Sequence, residues 1–214
     1  MKYFKSLLGA AAVLTAVSAT PSFALTTTID FGLANNAGAP SLTFNQGGYT
    51  VTASALVTDN ARNELGSRGA VVTQTKHTTD VNGGGLGELN APGDTNHDID
   101  GAIQRNDLVS LVFDKAVKLK SVRFARVDSN DVFDFWTAGG YQFSAATPFP
   151  LAQYIFAGGG VIGKFFAFGA TNDTSDYKIR SVTVSAVPLP PAAVLLVTGL
   201  FGIGALGRRK SKSA

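Results

Sequence analysis

Short apolar runs separated by clusters of Gly, Asn and Asp fill the middle of the chain, and along several of them apolar and polar side chains alternate. In Tyr49–Ala55, Tyr49, Val51, Ala53 and Ala55 fall on one face, and Thr50, Thr52 and Ser54 on the other. A period of two is the mark of a half-buried strand. The same reading, weighted by Val, Thr, Phe and Tyr content, predicts strands at Thr26–Phe31, Tyr49–Ala55, Ala70–Thr75, Leu108–Phe113 and Leu119–Val127. It predicts further strands at Val132–Trp136, Tyr141–Ser144, Gln153–Phe156, Gly163–Phe168 and Tyr177–Ser185. In the last of these Val182 and Val184 share a face while Ile179 is out of phase, which predicts a bulge near Arg180–Ser181. No window between Leu25 and Ala186 has the periodicity of a long amphipathic helix. About ten short strands with frequent turn signals predict an all-β body, a β-sandwich rather than a small barrel.

Two stretches refine that expectation. Leu108 to Trp136 reads as three consecutive antiparallel strands with turns near Asp114–Ala116 and Asp128–Asp131. Phe165 to Ser185 reads as a hairpin ending on a terminal strand. The pattern is similar to the jelly-roll sandwiches common in exported bacterial proteins, many of them carbohydrate-binding. That likeness concerns fold style and does not fix function.

The ends have a different pattern. Lys2 and Lys5 precede an apolar stretch, Leu7 to Val17, and Ser22-Phe23-Ala24 follows as a small-x-small site. This order is that of a signal peptide over residues 1–24, cleaved between Ala24 and Leu25. Its apolar core is too short to span a bilayer. At the other end, Ala192 to Gly207 contains no charge and one polar side chain, Thr198, and Arg208, Arg209 and Lys210 follow. As a helix that run rises roughly 24 Å against a hydrocarbon core of about 30 Å, so the expected membrane helix draws in the preceding residues and covers about 190–207. Pro190 and Pro191 fit its start, where a missing N–H does no harm. The basic cluster is a stop that favours the cytoplasmic side. Both basic flanks then stay inside while the body, residues 25–186, is exported.

Val187-Pro188-Leu189-Pro190, the small residues after it, the glycine-bearing apolar run and the terminal Arg208-Arg209-Lys210 resemble the VPLPA variant of the PEP-CTERM sorting signal. Pro191 stands where that pattern usually has Ala. The resemblance covers residues 187–214 and implies a Gram-negative host that makes exopolysaccharide. It also implies processing by signal peptidase and an exosortase-type membrane enzyme, with transient residence in the inner membrane before the cell surface or extracellular matrix.

Charge and composition narrow the function classes. The leader holds two basic residues and the tail four of the chain's eighteen, while all fifteen acidic residues lie in the body, which therefore carries a net charge of −3. The basic pI of the whole chain belongs to its ends, and no basic stripe remains for nucleic acid. Cysteine is absent, which excludes disulfides, thiol catalysis and cysteine-ligated metals.

Candidate chemistry is sparse. In the acidic stretch Asp94 to Gly101, oxygen-bearing residues alternate as a hard cation requires, so Asn96, Asp98, Asp100 and Asp107 form a candidate structural Ca²⁺ set. Asn opens and Asp closes this loop where an EF-hand has Asp and Glu, and a solvated acidic turn is the competing reading. Gly83–Gly87 lacks the Lys-Ser/Thr of a phosphate loop and reads as a flexible loop or a close backbone approach. It joins the acidic stretch in one long expected loop, His77 to Asn106. The two histidines, His77 and His97, cannot supply a three-His zinc site, and no Gly-x-Ser-x-Gly elbow occurs. Asp128, Asp131 and Asp134 are the candidates for a glycosidase pair, but the first two belong to a turn signature. Trp136 and the tyrosines Tyr141 and Tyr154 are the candidates for stacking on sugar rings, Trp136 and Tyr141 first among them, with Phe165, Phe166 and Phe168 read as core.

These observations predict a non-enzymatic exported surface or matrix protein. A carbohydrate-binding module of the exopolysaccharide is the alternative, and a glycan-active hydrolase ranks below both.

Overall fold

The computed structural model describes residues 25–58, 65–66, 71–74, 84–89, 98–102 and 105–187. The expected leader, the tail beyond Val187, both histidines and Asn96 lie outside them. The first strands are β1 (Thr26–Asp30), β2 (Asn36–Ala39), β3 (Ser41–Gln46), β4 (Tyr49–Thr58) and β5 (Leu65–Gly66). After them come β6 (Val71–Gln74), β7 (Leu86–Leu89), β8 (Ile99–Ala102) and the long β9 (Arg105–Ala125). The chain then forms β10 (Val132–Thr137), β11 (Gly140–Ala146), β12 (Gln153–Ile155), β13 (Val161–Gly169) and β14 (Asp176–Ala186). Every ladder is antiparallel, and the strands join in one open sheet. The chain is all-β. Among the described residues no helix is long and apolar enough to cross a membrane.

β9 organises the sheet. Its first half pairs with β4 on one side and β13 on the other, Val51↔Phe113 through Thr58↔Asn106 and Phe165↔Val112 through Gly169↔Leu108. Its second half pairs with β14, Lys178↔Ala125 through Ala186↔Val117, and with β12. β10 and β11 extend the first half, and β1, β7 and β8 attach to β14. The turn expected at Asp114–Ala116 is therefore absent, and Leu108–Val127 is not two strands. Asp114 and Lys115 face solvent on a continuous strand, where Asp114 Oδ1 accepts the Thr50 N–H and Lys115 Nζ donates to the Gly48 carbonyl at 2.6 Å. A charged pair that looks like a turn instead ties β9 to its neighbours. The turn at Asp128–Asp131 is present, but β9 and β10 do not pair, because β13 lies between them. Likewise β13 and β14 form no hairpin; β13 pairs along Leu108–Leu119 of β9 and β14 along Val117–Ala125, on opposite sides of β9 where the two overlap.

The alternation read from Tyr49–Ala55 holds, with the odd-numbered residues buried and the even ones half-buried. The bulge falls between Ile179 and Ser181, as the phase shift required, and turns Ile179 into the core with Val182 and Val184. A second shift, between Thr183 and Val184, leaves Lys120 without an opposite residue on β14, its carbonyl accepting the Phe156 N–H instead, and moves the inward set of β9 from Leu119 to Val122 and Phe124.

The core is rich in aromatic residues drawn from β9, β10, β13 and β14. Phe124 of β9 packs on Phe133, Phe168 and Tyr177 with ring centroids 4.9–6.3 Å apart. Phe135 contacts Phe143, Phe156, Phe166 and Phe168. Such pairs add about 0.5–1.5 kcal/mol each beyond their buried area. This cluster does in a cysteine-free domain what disulfides do elsewhere. Phe166 and Phe168 are core as expected, while Phe165 packs on the opposite face with Leu56 against Leu108, Trp136 and Ala167.

Candidate functional site

The long loop expected from His77 to Asn106 is interrupted by β7 and β8. Gly85 leads into β7 at the backbone of β14. A Cβ there would stand 2.5 Å from the Ile179 carbonyl oxygen, so the glycine permits a close approach. Gly101 in β8 has the same role: its Cβ would lie 2.3 Å from the Asn172 carbonyl oxygen. The glycine that looked like part of an ion loop is a packing requirement.

The described end of the acidic stretch, from Asp98 to Gly101, is accordingly drawn into the fold. Asp98 is fully buried, its Oδ2 2.6 Å from Arg126 and its Oδ1 3.1 Å from Lys178. Burial raises its pKa, and Lys178 and then Arg126 oppose the rise. Arg126 closes β9 with a left-handed backbone, φ 59°, and reaches Asp98 from there. Asp100 sits on β8 and donates its N–H to Asp107 Oδ2 at 3.4 Å, while Asp107 is buried on β9 opposite Val57. Of the candidate calcium set, Asp98 faces two cations, and Asp100 and Asp107 meet across adjacent strands.

A second acidic group forms where the sequence suggested a turn and two of the glycosidase candidates. Carboxylate oxygens of Asp128, Asp131 and Asp176 lie within 4.8 Å of one another. Asp131 is buried, and its oxygens accept the N–H of Asp128 at 2.7 Å and of Asp176 at 3.0 Å. Val132 N–H donates to Ser175 Oγ, and Asn130 Nδ2 to the Thr174 carbonyl, so the turn is locked onto the start of β14. Burial raises the pKa of Asp131 and of Asp176, and the neighbouring acids add to both rises. Oxygen-only donors of this kind suit a hard cation such as Ca²⁺. Arg126 borders the same hollow and already offsets part of their charge. Asp176 is the member that sequence spacing missed, since it arrives from a strand forty-five residues beyond Asp131.

Asp134 is not a member of this group. It is buried and accepts hydrogen bonds from Ser144 Oγ and Thr171 Oγ1. Of the glycosidase candidates, Asp128 and Asp131 lie together in the turn before β10, while Asp134 on β10 has its own hydrogen-bond partners.

Trp136 and Tyr141 are brought together, as cross-strand partners with rings 5.5 Å apart. Trp136 is only 1% exposed, so its ring offers no face to a sugar, and its indole N–H has no hydrogen-bond partner. Tyr141 is 39% exposed, and its hydroxyl bonds Ser144 Oγ at 2.8 Å. The expected stacking pair is thus reduced to Tyr141, because the face of the sheet that carries Trp136 is covered there.

Comparison of the chain with family models, with curated proteins and with solved structures finds no match.

Proposed function

We propose that this chain is an exported, non-enzymatic surface or matrix protein, its jelly-roll-like body carried across the inner membrane by the leader and held there briefly by the VPLPA-type tail. One observation carries the reading. Thr26, at the start of the body, pairs with Ser185, at its end. Leader and tail therefore attach to adjacent strands, about 4.8 Å apart. A body with both connections at one point can hang from a membrane on two anchors whose basic flanks face the same side. Release would then require two cuts, by signal peptidase before Leu25 and by an exosortase-type enzyme within the tail.

Non-enzymatic function is supported by the state of the candidate acids. Asp131 and Asp134 have their oxygens engaged by N–H and hydroxyl donors of the surrounding strands and turns, a role in holding the fold. The test is deletion of residues 188–214, followed by fractionation of the producing cells and sizing of the product. Loss of surface or matrix delivery, with the body secreted free, is expected. Unchanged localisation and processing would sink the proposal.

A further inference from the structure

A cleft of about 320 Å³ opens beside the second half of β9, where Arg123, Arg126 and Arg180 meet the loop that carries Phe149 and Leu151. We propose that it binds an acidic saccharide, with guanidinium groups holding a carboxylate or sulfate and the loop side chains covering the sugar's C–H face. This deepens the matrix reading above by naming a partner class, and it rests on that reading only for where the polymer is met.

The fold builds the cleft deliberately from two strands and one loop. Arg123 lies opposite Ser181 on β14 and opposite Gln153 on β12, so its strand is fixed on both sides. Arg180 is the extra residue of the β14 bulge, which turns its side chain to the same opening. The loop is tied down by Phe124 N–H donating to the Ala152 carbonyl at 2.7 Å and by Ala152 N–H donating to the Pro148 carbonyl at 2.6 Å. Its two large apolar side chains are left in water, Phe149 57% and Leu151 76% exposed.

Charge decides the ligand class. The charged residues lining this cleft are all arginines, in a body whose net charge is negative. Arg126 is committed to Asp98 and to the Asp128–Asp176 hollow behind it, so the exposed guanidinium of Arg123 is the group that gives the cleft its anion-binding character. The exposed Arg123 guanidinium has no hydrogen-bond or ion-pair partner among the described residues. Planar guanidinium groups bind carboxylate and sulfate oxygens in a two-pronged geometry. The hollow is concave and near the lower size limit of small-molecule sites, which fits one or two sugar units better than a membrane-inserting tip.

The experiment uses the full-length chain purified in nonionic detergent. Binding is measured to immobilised polygalacturonate, dextran sulfate and neutral dextran, and to phosphatidylglycerol vesicles. Binding to one or both acidic polymers and none to neutral dextran is expected, the two polymers distinguishing carboxylate from sulfate. Arg123→Gln/Arg180→Gln, the first exposed and the second half-buried, and the variant confirmed folded by circular dichroism, should weaken it at least about tenfold, as loss of a charge-assisted contact does. Phe149→Ala should weaken it severalfold with an unchanged salt dependence. Unaltered binding by the double Gln variant, no binding to either acidic polymer, or binding to vesicles alone overturns the proposal. Failure of the tail-deletion experiment would leave this result untouched, since it does not depend on sorting.

Discussion

The carboxylate of Asp98 lies 3.1 Å from the ammonium of Lys178, and both side chains are buried. Arg126 completes the group from a more exposed position, 39% accessible. Removing one partner of a buried pair strands the other charge, at a cost of about 3–5 kcal/mol. Asp98→Ala is expected to destabilise by that amount in urea unfolding. Arg126→Ala leaves Lys178 in place and should cost nearer 1 kcal/mol. An Asp98→Ala protein as stable as Arg126→Ala would refute the assignment of Asp98 as the hub.

Asp131 and Asp176 both have raised pKa values in the folded chain. Between the ordinary value near 3.8 and the raised one, the native state holds more protons than the unfolded state. Their contribution therefore strengthens folding as pH falls from neutral through the raised values, and the gain stops growing below the ordinary one. The melting temperature should rise on mild acidification, and Asp176→Asn should flatten that rise. A variant with the wild-type pH profile would exclude Asp176 as a source.

The same crowding of carboxylates gives a calcium test. Millimolar Ca²⁺ is expected to raise the melting temperature by relieving the repulsion among Asp128, Asp131 and Asp176, and Asp176→Asn should remove the increment. Asp100→Asn separates this group from the acidic stretch: loss of the increment there would move the ion to Asp100 and Asp107. Equal melting in Ca²⁺ and in chelator dismisses both.

Trp136 and Tyr141 touch, yet their substitution should have unlike consequences. Trp136→Ala empties a fully buried site and is expected to cost about 3–5 kcal/mol. Tyr141→Ala, at a half-open position, should cost about 1 kcal/mol, including its bond to Ser144. Chemical denaturation measures both. Equal costs would mean that the indole is not the packed member.

Gly101→Ala places a methyl 2.3 Å from the Asn172 carbonyl oxygen, against backbone that cannot rotate away. Overpacking of this kind costs about 1–3 kcal/mol. A neutral Gly101→Ala in thermal melts would show that β8 and the Asn172 turn can part freely.

How much of this was readable in advance depends on the range of the interaction. Alternation in Tyr49–Ala55 and the phase slip at Ile179 are properties of neighbouring residues, and both reappear as a strand face and a bulge. The all-β class follows from the same local pattern. Asp114-Lys115 misled because a charged pair in water has the same composition in a turn as on an exposed strand; only the bonds to Gly48 and Thr50 distinguish them.

What the sequence by itself determined is the class of the body, the faces of its clearest strands, the location of its charge and the two unlike ends. Those depend on side-chain hydrophobicity at short spacing. Only the tertiary structure decided which strands neighbour one another, that Asp176 joins Asp128 and Asp131, that Trp136 is buried, and that three arginines share a cleft. Each of these joins residues from separate strands or loops, and the register of an antiparallel ladder, rather than any local pattern, sets which of them meet.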